Sequence, residues 1–285
     1  MTMQIDAHQH FWNPARGDYG WMPADDAVLT RRYGPDHLRP ALQSCGIDST
    51  VLVQAAPSVA ETEYMLGIAD ATPEVAGVVG WFDFERPDQA AEWDRLSQHP
   101  SLIGVRPMIQ DIPDVAWMLG DNVAWAFDKL IALDLAFDAL GFPRHLDPFL
   151  MLLKRYPTMR VVIDHGMKPQ IHDSDPVAFT AWAEGMSRLA DETGAFCKLS
   201  GLVTEASETW SAEALAPYVA HILEAFGPAR VMWGSDWPVC RLRCEYEDWH
   251  DAAISLTRDV SPTERDMIFG QTAQKFYRLA PERSA

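Results

Sequence analysis

Gln4-Ile5-Asp6-Ala7-His8-Gln9-His10 near one end of the chain and Arg230-Val231-Met232-Trp233-Gly234-Ser235-Asp236 near the other share one build. Each is a short apolar run that ends in residues able to bind a metal or activate water. Side chains alternate between the two faces of a strand, so strict alternation puts His8 and His10 on one face, with Asp6 one layer deeper. It likewise puts Asp236 with Gly234 and Met232. Six more apolar or β-branched runs lie between them: Ser49 to Ala55, Val75 to Phe82, Leu102 to Arg106, Leu135 to Leu140, Arg160 to Ile163, and Ala195 to Ser200. They are too apolar to alternate cleanly, which is the pattern of a parallel sheet buried on both faces.

The spacing between runs leaves room for one helix each. Helix signals fill the gaps: Pro35-Asp36 before His37 to Ser44 with Gly46 after, Ser58 before Glu61 to Ala71 with Pro73 after, and Ser211 before Ala212 to Phe226 with Gly227-Pro228 after. Strand then helix, eight times over, predicts an α/β chain folded as a (β/α)8 TIM barrel, a single domain over residues 1–285. The composition, 48% hydrophobic with 11 Trp and 12 Phe, excludes disorder for most of the chain. Phe11 to Arg32, rich in Trp, Pro, Gly and Asp, is long for a strand-to-helix loop and follows directly on His10. It reads either as a cover for a site or as an irregular loop tied down by Trp12 and Trp21.

With 23 Lys and Arg against 41 Asp and Glu, the net charge is −18. That field repels nucleic acid, anionic membrane surfaces and highly anionic substrates, and favours a neutral or weakly charged small molecule. No targeting segment and no run long enough to cross a bilayer is visible, and Cys45, Cys197, Cys240 and Cys244 are too scattered for a disulfide framework, so a cytoplasmic location with reduced thiols is expected. Assembly into a homo-oligomer is left open.

Strand ends converge at the C-terminal face of such a barrel, where catalytic residues sit. The candidates there are His8 and His10 after the first strand, Gln54 after the second, Arg106 after the fourth, Asp164-His165 after the sixth, Lys198 and Ser200 on the seventh, and Ser235-Asp236 after the eighth. A lone histidine in such a place is more often structural than a ligand. Together, His8, His10, His165 and Asp236 suit one divalent ion such as zinc with an open position, or metal-free chemistry with Asp236 as base and the imidazoles polarising a carbonyl. Water attacking an acyl carbon must lose a proton while charge gathers on the carbonyl oxygen, and these residue types answer both needs. Arg106, Lys168 and Lys198 suggest contacts to a polyhydroxylated or carboxyl-bearing ligand, or salt bridges to carboxylates at the barrel end. Gly-x-Ser-x-Gly is absent, and so are the glycine-rich loops that cradle phosphates, which removes an acyl-enzyme route and a nucleotide cofactor.

Ile5-Asp6-Ala7-His8-Gln9-His10-Phe11-Trp12, Asp164-His165-Gly166-Met167-Lys168-Pro169, Lys198-Leu199-Ser200-Gly201 and Gly234-Ser235-Asp236-Trp237-Pro238 resemble the sugar-lactone hydrolase branch of the amidohydrolase superfamily. The resemblance implies a barrel with its catalytic set at His8, His10, His165 and Asp236, and a lactone substrate opened to the free acid. Gln54, Arg106, Lys168, Lys198 and Trp237 are the expected substrate contacts. Two-metal members carry a bridging lysine or carboxylate after the fourth strand and a second histidine after the fifth. Arg106-Pro107 and Asp138-Ala139-Leu140-Gly141-Phe142 stand there instead, which leaves one dispensable divalent ion, zinc by its ligands, or none. The acidic charge and the few arginines at strand ends favour an aldonolactone, L-fucono-1,5-lactone, over a muconolactone-type or pyrone-type dicarboxylate. A metal-dependent decarboxylase of the same superfamily and a barrel that binds without turnover are the competing readings.

Overall fold

A computed structural model describes residues 2–173 and 175–280. The eight apolar runs are eight strands: β1 (Ile5–Gln9), β2 (Ser49–Val53), β3 (Val75–Gly80), β4 (Leu102–Val105), β5 (Ala136–Ala139), β6 (Val161–Ile163), β7 (Phe196–Leu199) and β8 (Val231–Trp233). Each pairs in parallel with the next, in sequence order. The seam between β8 and β1 is closed just past the strand ends, where the His10 N–H donates to the Trp237 carbonyl (2.7 Å) and the Asp236 N–H to the His8 carbonyl (2.8 Å). The sheet is therefore the (β/α)8 barrel expected.

Helices α1 (Pro35–Cys45), α2 (Val59–Ala71), α3 (Ala90–Leu96), α4 (Asp121–Ala132), α5 (Leu146–Arg155) and α6 (Pro176–Glu192) follow the first six strands in turn. After β7 come a short α7 (Leu202–Glu205) and α8 (Ala212–Phe226), and after β8 comes α9 (Tyr246–Leu256). The predicted punctuation is in place: Ser58 and Ser211 accept backbone N–H groups of the first turns of α2 and α8, and Gly46 ends α1 in the left-handed conformation. α1 starts two residues before the predicted His37, because a proline is at home in a helix's first turn. Among the described residues no helix is long and apolar enough to cross a membrane.

Two apolar clusters hold these layers together. The larger lies between strands and helices and includes Trp93, Trp182, Trp233 and Trp249. The smaller fills the barrel: Ile5, Ala7, Val51, Val53, Val79, Ala136, Val162 and Met232 pack on Phe276 and Tyr277 of the terminal helical segment, α10 (Pro262–Asp266), a π-turn and α11 (Thr272–Tyr277). Arg160, just ahead of β6, donates to the Phe276 carbonyl (2.6 Å), so α11 plugs the end where the strands begin. The polar site can then occupy the other end without flooding the barrel.

One expectation fails here. Asp6 does not share the face of His8, because the β1–β2 register shifts between Asp6 and Gln9, where three steps along β1 match two along β2. This bulge turns the alternation over. Asp6 instead points outward, where its carboxylate accepts from the Ser235 N–H (2.8 Å), the Ser235 hydroxyl (2.6 Å) and the Tyr246 hydroxyl of α9 (3.2 Å). From there it braces the turn that carries Asp236.

Candidate active site

His8 and His10, 228 and 226 residues before Asp236, and His165, 71 residues before it, meet that aspartate at one point by way of β1, β6 and β8. Asp236 Oδ1 stands 3.2 Å from His10 Nε2, 3.7 Å from His8 Nε2 and 3.8 Å from His165 Nε2, and the two Nε2 atoms of His8 and His10 are 3.2 Å apart. All four side chains are buried. The backbone turns sharply to present them: His165, Gly166, Met167 and Lys168 run consecutively at positive φ, and Asp236 has φ +56°. Left-handed non-glycine residues are held only where surrounding contacts over-determine them, and they concentrate at functional sites.

Each imidazole is aimed by its other nitrogen. His10 Nδ1 lies 2.8 Å from the Val53 carbonyl, an acceptor only, so that nitrogen carries the proton and Nε2 faces Asp236 with a lone pair. His165 Nδ1 lies 2.8 Å from the Ser200 hydroxyl. His8 Nδ1 lies 3.0 Å from Lys198 Nζ and 3.5 Å from Asp164 Oδ1. Burial lowers the pKa of all three, taking His165 to about 4, so the rings are neutral near pH 7. Burial pushes the Asp236 carboxyl up, but His165, His10 and His8 outweigh it and hold the group below the usual carboxylate range.

A layer of charge lies under the imidazoles. Lys198 Nζ meets Asp138 at 2.5 Å and Asp164 at 3.1 Å, all three side chains fully buried. Arg106 Nη1 stands 3.3 Å from His8 Nε2 and 3.4 Å from Asp164 Oδ2. Its Nη2 donates to the Gln54 carbonyl, while Gln54 Nε2 donates to the Arg106 carbonyl at 2.8 Å, so these two residues clamp each other. Lys168 is at the rim, 3.9 Å from Glu205 and 5.4 Å from the centre of the Phe142 ring. Trp237 packs edge-on against Phe11 and Tyr33 beside the cluster.

Sequence reasoning gave no part to Asp138, Glu205 or Tyr277. Asp138 could have been found, since a carboxylate inside the apolar run Ala136-Phe137-Asp138-Ala139 must meet a partner. Tyr277, whose hydroxyl lies 2.8 Å and 2.9 Å from the two Asp138 oxygens, offers no local signal.

The donor set fits one divalent ion. Ligand atoms on a tetrahedral zinc with bonds of about 2.1 Å are separated by roughly 3.4 Å, and the spacings from Asp236 Oδ1 to His10, His8 and His165 fall around that value. His8, His10 and Asp236 form one candidate group, and His8, Asp164 and His165 a second. The same carboxylate and imidazoles can equally hold a water molecule and the oxygen of a polarised carbonyl.

A model of the amidohydrolase family matches residues 5–279. The chain is 41% identical to an L-fucono-1,5-lactonase of Burkholderia ambifaria, with 98% of this chain and 97% of that protein covered. It is 35% identical to an L-fucono-1,5-lactonase of Burkholderia multivorans over 98% of this chain and 97% of that one. A crystal structure of a Burkholderia multivorans amidohydrolase with bound zinc superposes with a TM-score of 0.92 at 35% identity, covering 98% of this chain and all of that one. Matched in sequence almost from end to end, and alike in fold, this chain belongs to the amidohydrolase family.

Proposed function

We propose that this protein hydrolyses the lactone of a sugar acid, L-fucono-1,5-lactone being the expected substrate, to the open acid. The convergence of His8, His10 and His165 on one oxygen of Asp236 carries this reading, and the names of the two Burkholderia relatives agree with it. Asp236, ionised and facing neutral imidazoles, takes the proton from the attacking water and returns it to the ring oxygen as the ester bond breaks. Arg106 faces the carbonyl oxygen, where negative charge develops. A divalent ion bound by His8, His10, His165 and Asp236, for which we propose zinc, would add Lewis-acid polarisation of that carbonyl. Lys168 and Glu205 at the rim meet the sugar hydroxyls. Four cysteines, none of them paired, support a cytoplasmic location.

Acid release from L-fucono-1,5-lactone, followed with a pH indicator, tests the reading. Asp236→Asn should lower kcat about a thousandfold, and His8→Ala or His10→Ala should lower it by orders of magnitude with the fold retained. Running a panel of aldonolactones before and after chelation shows whether turnover needs the ion. Absence of acid from every aldonolactone, or release of carbon dioxide from an aromatic acid instead, would overturn it.

A further inference from the structure

The terminal segment does more than close the barrel's lower end. We propose that Tyr277, on α11, is a positioning residue for His8, acting through Asp138 and Lys198 along the barrel axis. The claim rests on the reading of His8 as a member of the reacting cluster.

The path is continuous and dry. The Tyr277 hydroxyl donates to Asp138, 2.9 Å from Oδ1 and 2.8 Å from Oδ2, and so spans both oxygens. Asp138 Oδ2 accepts from Lys198 Nζ at 2.5 Å. Lys198 Nζ then stands 3.0 Å from His8 Nδ1 and 3.1 Å from Asp164 Oδ1. Tyr277 is 2% exposed, and Asp138, Lys198, Asp164 and His8 are all at 0%, so water has no route to replace a lost contact.

Charge makes the path stiff. Lys198 donates to Asp138 and lies 3.0 Å from His8 Nδ1, with the Asp164 carboxylate 3.1 Å away as an ion-pair partner. It cannot shift toward one without drawing away from another. Asp138 is held in turn by Tyr277 on one side and Lys198 on the other. With the hydroxyl gone, the carboxylate is free to turn toward Lys198, the ammonium follows, and the His8 ring loses its fixed angle relative to His10 and Asp236. Networks of this kind around ligating histidines commonly change metal affinity or activity by 10- to 100-fold when one member is lost.

Tyr277→Phe removes only the hydroxyl and keeps the ring that packs in the barrel. We expect kcat on the lactone to fall about tenfold with KM unchanged, because no atom that meets substrate has been altered. The side-chain 15N resonances of His8 in the intact protein, assigned by their loss in His8→Gln, should move, while those of His221, on α8, stay in place. Asp138→Asn should shift the same resonances, and it decides the matter if Tyr277→Phe fails to fold. A wild-type protein that opens no lactone would sink the functional reading but leave the ring spectrum to judge this proposal. His8 resonances unmoved in a folded variant would overturn it, whatever the activity.

Discussion

At the scale of single residues, two glycines matter as much as the histidines they make room for. A Cβ on Gly234 would lie 2.7 Å from His8 Cβ and 3.0 Å from the His8 backbone nitrogen. A Cβ on Gly201 would lie 2.5 Å from His165 Nδ1, and its φ of +65° is one that side chains disfavour. Gly201→Ala should therefore push the His165 ring off Asp236. Since a displacement of about 1 Å can cost about 100-fold in rate, kcat should fall by that order while the melting temperature drops only a few degrees; kcat within twofold of wild type would show that the ring has slack. The proposed catalytic quartet was legible because an imidazole or carboxylate at the end of an apolar run has few structural excuses. The support beneath it was not. Alternation gives the face on which Asp138 or Lys198 lies but not its partner, and the Tyr277–Asp138 pair spans 139 residues with no motif at either end.

Between β1 and α1 the long loop shows how an element can be legible in kind and illegible in attachment. The anchored reading of Phe11 to Arg32 finds support: Trp12 Nε1 donates to the Leu29 and Arg31 carbonyls, and Trp21 Nε1 donates to the Ala55 carbonyl just past β2. What the sequence did not reveal is the anchor in α2. Glu61, fully buried, accepts from the Tyr19 hydroxyl (3.0 Å) and the Ala55 N–H (3.3 Å), with Arg16 at 3.4 Å. Burial dominates over these partners and raises its pKa from 4.5 to about 7. A carboxyl with a raised folded-state pKa contributes stability that is complete below its unfolded value and is lost as pH rises through the folded one. For Glu61 that window runs from about pH 4.5 to pH 7. Glu61→Gln removes the ionisation and forfeits one acceptor, so relative to wild type it should gain up to about 3 kcal/mol between pH 5 and pH 8. Thermal melts of both proteins at those two pH values check this; a constant difference would mean that Glu61 is ionised throughout. The bulge in β1 escaped notice for a related reason: one extra residue leaves composition and spacing untouched yet reverses which face Asp6 takes.

For the molecule as a whole, the barrel was readable from eight apolar runs with helix signals between them, since a two-sided buried sheet leaves a pattern in every strand. Its closure was not. The seam is made by His8, His10, Asp236 and Trp237, at or just beyond the ends of β1 and β8, so the residues that join the barrel also build the site. Nor did the sequence announce that α11 would plug the opposite end, because the apolar face made by Ala273, Phe276 and Tyr277 does not say which strands it meets. The net charge of −18 acts on a larger scale than any of these contacts, and it bears on substrate choice. Long-range repulsion slows the approach of a dianion and leaves a neutral lactone indifferent, and salt abolishes the difference, since the screening length falls from about 30 Å at 0.01 M to about 3 Å at 1 M. Across that range kcat/KM for L-fucono-1,5-lactone should change by less than about twofold, whereas any activity on a dicarboxylate lactone should rise severalfold with salt. If the best substrate found instead gains strongly from added salt, it is an anion, and the dicarboxylate reading replaces the sugar.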